Sequence, residues 1–414
     1  MSGSAEGEPA LLSAVRAGDT TRVTCLLRQD TDPGVLEDAF ALATRTYAGG
    51  LAQLLLQYGA DPGRCDPDGL LPLRDAVASG SPALADALLH PGNGRRYPAP
   101  ELREMRDLAR RLHDTGAEAE LRRRTGSRAP VVRTRVQDDE YHGVGAFTLG
   151  PVTVRDGHGA ILTGLEELLG VRTSFGELMG RAVAHDQDHA AWGTATLLLA
   201  GRRDQEVWTA AAALRRDEDP SHRLFGAEVL RLTHLLDDRD EDVFGGPALE
   251  LFTAWSAEEA DPAVLTEVLT ALGDHADPRA DAALLPHAGH PDPRVRGAVA
   301  RGLGSWSRSA ASSADVRGAL LVLMTDVDPR VRRDACLTVA RGGDRAPVLA
   351  GAMAALLDDA DRQVQLAAVQ GLAQHDDGRC VAAARRLGPP HPASPDEEHA
   401  LDAAWRYERR RDGL

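Results

Sequence analysis

The sequence predicts an all-α protein built from stacked helical repeats. A phrase recurs along its second half: Asp292-Pro293-Arg294-Val295-Arg296-Gly297-Ala298-Val299 returns as Asp328-Pro329-Arg330-Val331-Arg332-Arg333-Asp334-Ala335, and more loosely as Asp361-Arg362-Gln363-Val364-Gln365-Leu366-Ala367-Ala368. The step from Val295 to Val331 is 36 residues and from Val331 to Val364 is 33, a spacing typical of solenoids. Aromatic residues make up only 4% of the 414 residues while Ala and Leu abound, which favours helix on helix over sheets.

Each copy reads as a short helix. Asp is a good N-cap because its carboxylate accepts from free N–H groups of the first turn. Pro suits the first helical position, where its missing N–H costs nothing. Val295, Ala298, Val299 and Leu303 then form one apolar stripe. Ala298 and Gly302 are small enough to let a neighbouring helix approach. Such a helix is too short to be stable alone, since nucleation is costly, so the stripe must be buried against further copies. With that stripe inward, Arg294, Gly297 and Arg301 face outward, and Arg330 and Arg333 do so in the next copy. Side chains one repeat apart then line an extended surface. Arg294, Arg301, Arg330 and Arg333, with Trp306 just past the phrase and Asp68 in an N-terminal turn, are the expected partner-binding positions.

Composition narrows the function. The formal charge is −16 and the pI about 5.3, which disfavours a nucleic-acid partner. No apolar run reaches the ~18 residues of a membrane span. The start, Met1-Ser2-Gly3-Ser4-Ala5-Glu6-Gly7-Glu8, is acidic and does not resemble a signal peptide, so a cytoplasmic location is expected. The four cysteines (Cys25, Cys65, Cys336, Cys380) are far apart and read as separate thiols. Lysine is absent, which hints at GC-rich coding and excludes Schiff-base chemistry on a lysine and a P-loop lysine.

Residues 10–92 hold a different repeat. Leu11-Leu12-Ser13-Ala14-Val15-Arg16-Ala17-Gly18 leads into Val23-Thr24-Cys25-Leu26-Leu27, and Pro72-Leu73-Arg74-Asp75-Ala76-Val77-Ala78-Ser79-Gly80 leads into Leu84-Ala85-Asp86-Ala87-Leu88-Leu89. Between them stands Leu54-Leu55-Leu56-Gln57-Tyr58-Gly59. This resembles two to three ankyrin repeats, with Gly18 and Gly80 between paired helices and Asp68-Gly69 at the tip of a hairpin finger. The family's Thr-Pro-Leu-His is Leu71-Pro72-Leu73-Arg74 here.

Residues 93–172 read as a basic linker helix, from Glu101 to about Arg124, and a small mixed insert. Over residues 95–136 stand 12 Arg against 6 acidic residues, a basic island that serves either as a solvated, ion-paired helix or as a contact for an acidic partner. Val131–Val136 and Phe147–Val154 read as strands, and Ile161–Gly170 as a short helix.

Residues 173–388 form the main solenoid, extended upstream by Asp219-Pro220 and Asp261-Pro262, and residues 389–414 supply a capping helix. This block resembles HEAT repeats, particularly the short bacterial type also found in phycobilisome-lyase-like proteins. The resemblance implies that second helices line a concave surface. It also implies an acid and an Arg, six apart, that bond between repeats. Asp326 and Arg332 fit, whereas His290 precedes Arg296 and Asp359 precedes Gln365, which puts the ladder in doubt at those two steps.

Chemistry is sparse. His185-Asp186-Gln187-Asp188-His189 has ligand-like spacing but lacks the Glu of HExxH and falls between helices, where it reads as a polar turn. Arg155-Asp156-Gly157-His158-Gly159 combines acid and base without a nucleophile. The acidic run 237–242 lacks calcium-loop spacing. We therefore expect no catalytic residues, no metal and no cofactor. The expected function is a non-enzymatic scaffold for a protein or peptide partner. Alternatives are a lyase-like or modification accessory factor with a solenoid pocket, and a nucleic-acid binder using the concave arginines.

Overall fold

A computed structural model describes residues 9–29, 31–61, 72–90, 97–236, 243–275, 277–304, 313–391 and 394–412. Cys65, Asp68, Trp306 and the acidic run 237–242 lie outside the described residues. Among the described residues the chain is helical apart from its turns and one three-stranded sheet, and it divides after Leu199 into two compact units.

The first unit begins with three helix pairs: α1 (Ala10–Ala17) with α2 (Thr20–Leu27), α3 (Pro33–Arg45) with α4 (Gly49–Gln57), and α5 (Pro72–Ser79) with α6 (Pro82–Leu89). Gly18 and Gly80 turn the outer pairs with φ of +70° and +75°, a region closed to most side chains. The middle pair turns on Tyr47, at φ +57°, and that non-glycine turn hides the pair from a glycine-based reading. The Arg155 guanidinium lies 4.3 Å from the Tyr47 ring centroid and covers it. Leu11, Phe40, Leu55, Val77 and Leu88 form one continuous core with Ile161, Leu162 and Leu165.

The single helix expected from Glu101 to Arg124 is two, α7 (Ala99–Thr115) and α8 (Ala117–Thr125). Gly116 breaks it at φ +79°. The arginines here are largely ion-paired: Arg122 with Glu118, Arg123 and Arg124 with Glu120, and Arg110 with Glu166. The Arg123 and Arg124 guanidiniums hold Glu120 down to about 2. Strands β1 (Val132–Gln137), β2 (Gly143–Leu149) and β3 (Val152–Arg155) follow as an antiparallel meander, then α9 (His158–Leu168), α10 (Phe175–Val183) and α11 (Ala190–Arg202).

One buried charge ties the helix pairs to this insert. Asp138 accepts from Ser81 Oγ (2.7 Å), from the Ala83 N–H (2.7 Å) and from Arg155 (2.5 Å). It therefore caps α6 from 55 residues away.

The second unit continues with α12 (Gln205–Ala213), α13 (Pro220–Leu235), α14 (Gly245–Ser256), α15 (Pro262–Asp274), α16 (Pro278–Leu284), α17 (Pro293–Gly302), α18 (Ala314–Leu323), α19 (Pro329–Arg341), α20 (Pro347–Ala355), α21 (Arg362–Gln374), α22 (Arg379–Leu387) and α23 (Pro395–Asp412). The second helices α13, α15, α17, α19 and α21 pack side by side, and α23 covers the last of them. Asp219, Asp261, Asp292, Asp328 and Asp361 each cap one of these helices with the side chain. Val295, Val331 and Val364 occupy equivalent positions at 0%, 1% and 0% exposure.

The ladder differs from expectation in an instructive way. Arg296 donates to the Asp326 carboxylate at 2.6 and 2.8 Å, and Arg332 donates to Asp359 at 2.7 and 2.8 Å. Each arginine also donates to carbonyls of its own turn, at positions five and six before it. The acid thus lies in the next repeat: Arg296 and Asp359 of the two doubtful copies each join a rung, while His290 and Gln365 do not. Arg223 and Glu259 repeat the pattern upstream. His290 does occupy an acid position, where its Nδ1 accepts the Asp292 N–H, but the preceding repeat offers Leu265 instead of an arginine. Gln365 ends the ladder and keeps only a carbonyl bond.

The hydrogen bonds from Arg296 and Arg332 hold the Asp326 and Asp359 carboxyls below the ordinary value of 3.8. A depressed folded pKa contributes stability that is complete above the unfolded value and is lost as pH falls through the folded one. Thermal melts should therefore show the Tm of the Asp326→Asn, Asp359→Asn variant falling less steeply than the parent's below pH 4. Parallel curves would mean that the rungs add nothing.

Candidate functional site

The second-helix row of the second unit holds a groove of about 650 Å³. Arg301 lines it from α17, Arg333, Asp334, Leu337 and Arg341 from α19, Gln363, Gln370 and Gln374 from α21, and Asp396 and His399 from α23. The helical period explains this: residues seven apart share a face, so consecutive turns of each helix deliver side chains to one surface.

Asp334 organises the groove. It is buried, and its two oxygens take Arg301 at 2.6 Å and Arg333 at 2.9 Å. The guanidiniums are held in place while their side chains stay 51% and 39% exposed. Arg301 and Asp334 lie over Gly297, which was expected to face outward and is buried. A Cβ there would sit 3.4 Å from Arg301 Nη1.

Of the sequence-predicted positions, Arg301 and Arg333 come together in the groove. Arg294 and Arg330 are exposed at the helix starts and do not line it, and Arg294 folds back onto its own cap, Asp292, at 2.7 Å. That contact holds Asp292 down to about 2. Sequence reasoning missed Asp334, Arg341, the three glutamines, Asp396 and His399. The spacing of Gln363, Gln370 and Gln374 was the available signal, since all three fall on one helical face.

A second constellation lies in the first unit. The two motifs that looked separate converge: His189 Nε2 lies 2.9 Å from Asp156 Oδ1, and His185 Nδ1 lies 4.0 Å from Oδ2. Asp156 also accepts the Gly145 N–H at 2.7 Å. Burial alone would raise its carboxyl, but the His189 hydrogen bond and charge, with the other neighbours, leave it below the ordinary range. Burial, then repulsion from His189, pushes His185 down to about 4.

Three such groups are a plausible metal set by count, and their geometry argues against it. The Ala191 N–H donates to His189 Nδ1 at 3.0 Å, so the ring proton sits on Nε2, the nitrogen facing Asp156. Ligating histidines instead donate from their second nitrogen. The His185 and His189 rings are stacked, 3.7 Å apart and 5° from parallel, so their in-plane lone pairs do not converge on one point. The arrangement is a hydrogen-bonded cluster that pins the turn between α10 and α11 to the sheet.

The family model for HEAT repeats matches residues 249–336 and 282–373. The groove described above opens on the later part of the matched segment and runs past it onto α23. No curated protein matches the chain. Among solved structures, an Escherichia coli protein, YibA, is 15% identical over 59% of this chain and 96% of its own, with a TM-score of 0.42. An archaeal HEAT-like repeats protein from Thermococcus onnurineus is 16% identical over 57% and 98%, with a TM-score of 0.36. An engineered protein is 14% identical over 96% and 98%, with a TM-score of 0.40. No helix among the described residues is long and apolar enough to cross a membrane.

Proposed function

We propose that the chain is a non-enzymatic binding scaffold that receives a protein or peptide partner in the groove on its second-helix row. The observation that carries this is the alignment of polar side chains from the inner helices α17, α19 and α21 and the covering helix α23 along one cavity, with Arg301 and Arg333 fixed in position by a buried carboxylate. A preorganised surface loses less entropy on binding than a mobile one. The groove is polar and open, which suits a chain segment better than a small enclosed substrate. Arg294 and Arg330, which do not line the groove, contribute less on this reading than Arg301 and Arg333.

We further infer that residues 10–92 are an ankyrin-type block. The glycine turns at Gly18 and Gly80 and the three short helix pairs support this reading.

A photo-crosslinking residue placed at Gln370, and separately at Val322 on the outer helix α18, tests the proposal in extracts of the native cells. The expected result is a discrete adduct from Gln370 and none from Val322. Adducts from Val322 alone would remove the groove from consideration.

A further inference from the structure

We infer that the groove binds an extended segment carrying an acidic side chain, with that carboxylate seated at the Arg301–Arg333 pair. This rests on the groove being the partner site and names the chemistry of what enters it.

The charge of the groove is the first argument. Three guanidiniums, Arg301, Arg333 and Arg341, face two carboxylates, Asp334 and Asp396, which leaves one net positive charge. The chain as a whole carries −16, so this is a local inversion of sign. A cleft of one sign focuses field on an oppositely charged ligand. Asp334 does not cancel the site. It is buried beneath the two arginines and uses both oxygens on them. Two guanidiniums sharing one carboxylate keep a surplus positive charge and further N–H donors. Arginine matches a planar carboxylate with paired donors.

The second argument is the row of amides. Gln363, Gln370 and Gln374 are neither charged nor apolar, and each offers both a donor and an acceptor. Over eleven residues of helix they span about 16 Å. An extended chain covers that length with about five residues. Amides along such a path suit the alternating N–H and C=O groups of a peptide backbone, whatever its side chains. The arginines then select for one acidic residue, and Leu337, Leu366 and Ala367 supply apolar floor between them.

Fluorescence anisotropy with labelled octapeptides tests this on the full chain. The probes are alternating Ala-Glu, alternating Ala-Lys, alternating Ala-Ser, and the Ala-Ser peptide with one central phosphoserine. Saturable binding of Ala-Glu in preference to Ala-Lys and Ala-Ser is the expected result, against the net charge of the protein. Arg301→Gln with Arg333→Gln should weaken it about tenfold, the scale of one lost charge-assisted contact. Arg294→Gln, outside the groove, should leave it within about twofold.

Because the double variant leaves Asp334 buried and unpaired, Asp396→Asn provides a reading that does not depend on folding. It removes an exposed negative charge from the wall and should tighten Ala-Glu binding. Equal or stronger binding of Ala-Lys overturns the inference, as does binding of the phosphoserine peptide alone, or indifference to both variants. A partner crosslinked at Gln370 in a protein that ignores Ala-Glu would sink this inference and leave the groove as the partner site.

Discussion

Replacing Asp138 with Ala should destabilise the first unit by about 3–5 kcal/mol, the cost of stripping one partner from a buried ion pair. The Asp138 side chain is fully buried and that of Arg155 is 9% exposed. Removing the carboxylate leaves the Arg155 guanidinium without its counter-charge against the Tyr47 ring. It also uncaps α6, whose Ala83 N–H has Asp138 as its acceptor, and removes the acceptor of the Ser81 hydroxyl, whose oxygen still receives Arg155 Nη1 at 3.3 Å. Three groups lose a hydrogen bond in a single change. Asp138→Asn should cost less, since it keeps one acceptor in place. Asp138→Leu combined with Arg155→Met should cost less than the sum of the two single changes, because removing both charges leaves neither stranded. Urea unfolding of the four proteins gives the cycle. A single-variant loss below 1 kcal/mol, or strict additivity, would mean that the pair does not fasten the helix pairs to the sheet.

Gly273→Ala should destabilise the second unit by about 1–3 kcal/mol, the range for forced overpacking. A Cβ at Gly273 would stand 2.7 Å from the Gly302 Cα. A Cβ at Gly302 would meet the Gly273 Cα at 3.0 Å and Leu284 Cδ1 at 2.9 Å. The obstacle is backbone, so it cannot swing aside as a side-chain tip would, and α15 must move away from α17. Each inner helix also packs on the next, so the displacement cannot stay local. Gly318→Ala is the opposite control. Gly318 is exposed within α18 with open space around its Cβ position, and the change should stabilise by about 0.5–1 kcal/mol through helix propensity alone. Denaturant melts of both variants decide the matter. A neutral Gly273→Ala would mean that α15 and α17 do not meet through their glycine backbones.

What could be read from the sequence was local in origin. An aspartate cap, a proline beside it and an apolar stripe act within a dozen residues, so the inner helices and the burial of Val295, Val331 and Val364 were legible. Gly302 was legible as a contact point for the same reason. Pairings across the chain were not. The cap on α6 comes from Asp138, far away in sequence, and no local pattern announces it. The rungs pair each arginine with the acid of the following repeat, about 30 residues on, whereas the six-residue spacing within one turn drew attention to the wrong partner. Tyr47 takes a left-handed turn without glycine, and its helix pair went partly unseen. In the groove, Arg301 and Arg333 follow from helical phase. Asp334 was visible as a residue, but that it would be buried under both of them depends on how α17 lies on α19.

The ladder of arginines and acids is uneven, and this has a consequence for how the second unit feels dissolved salt. Exposed and half-exposed charge pairs weaken as ionic strength rises, while contacts between apolar or glycine surfaces do not. The rungs of Arg223, Arg296 and Arg332 are largely buried, with no side chain above 17% exposed, so added electrolyte weakens them far less than exposed pairs such as Arg279 with Asp277. The step where Leu265 precedes His290 has no rung to screen, and rests on the close backbone approach of Gly273 to Gly302. Backbone contact holds that junction and desolvated charge holds the steps beside it, so the inner stack resists dissolved salt along its length.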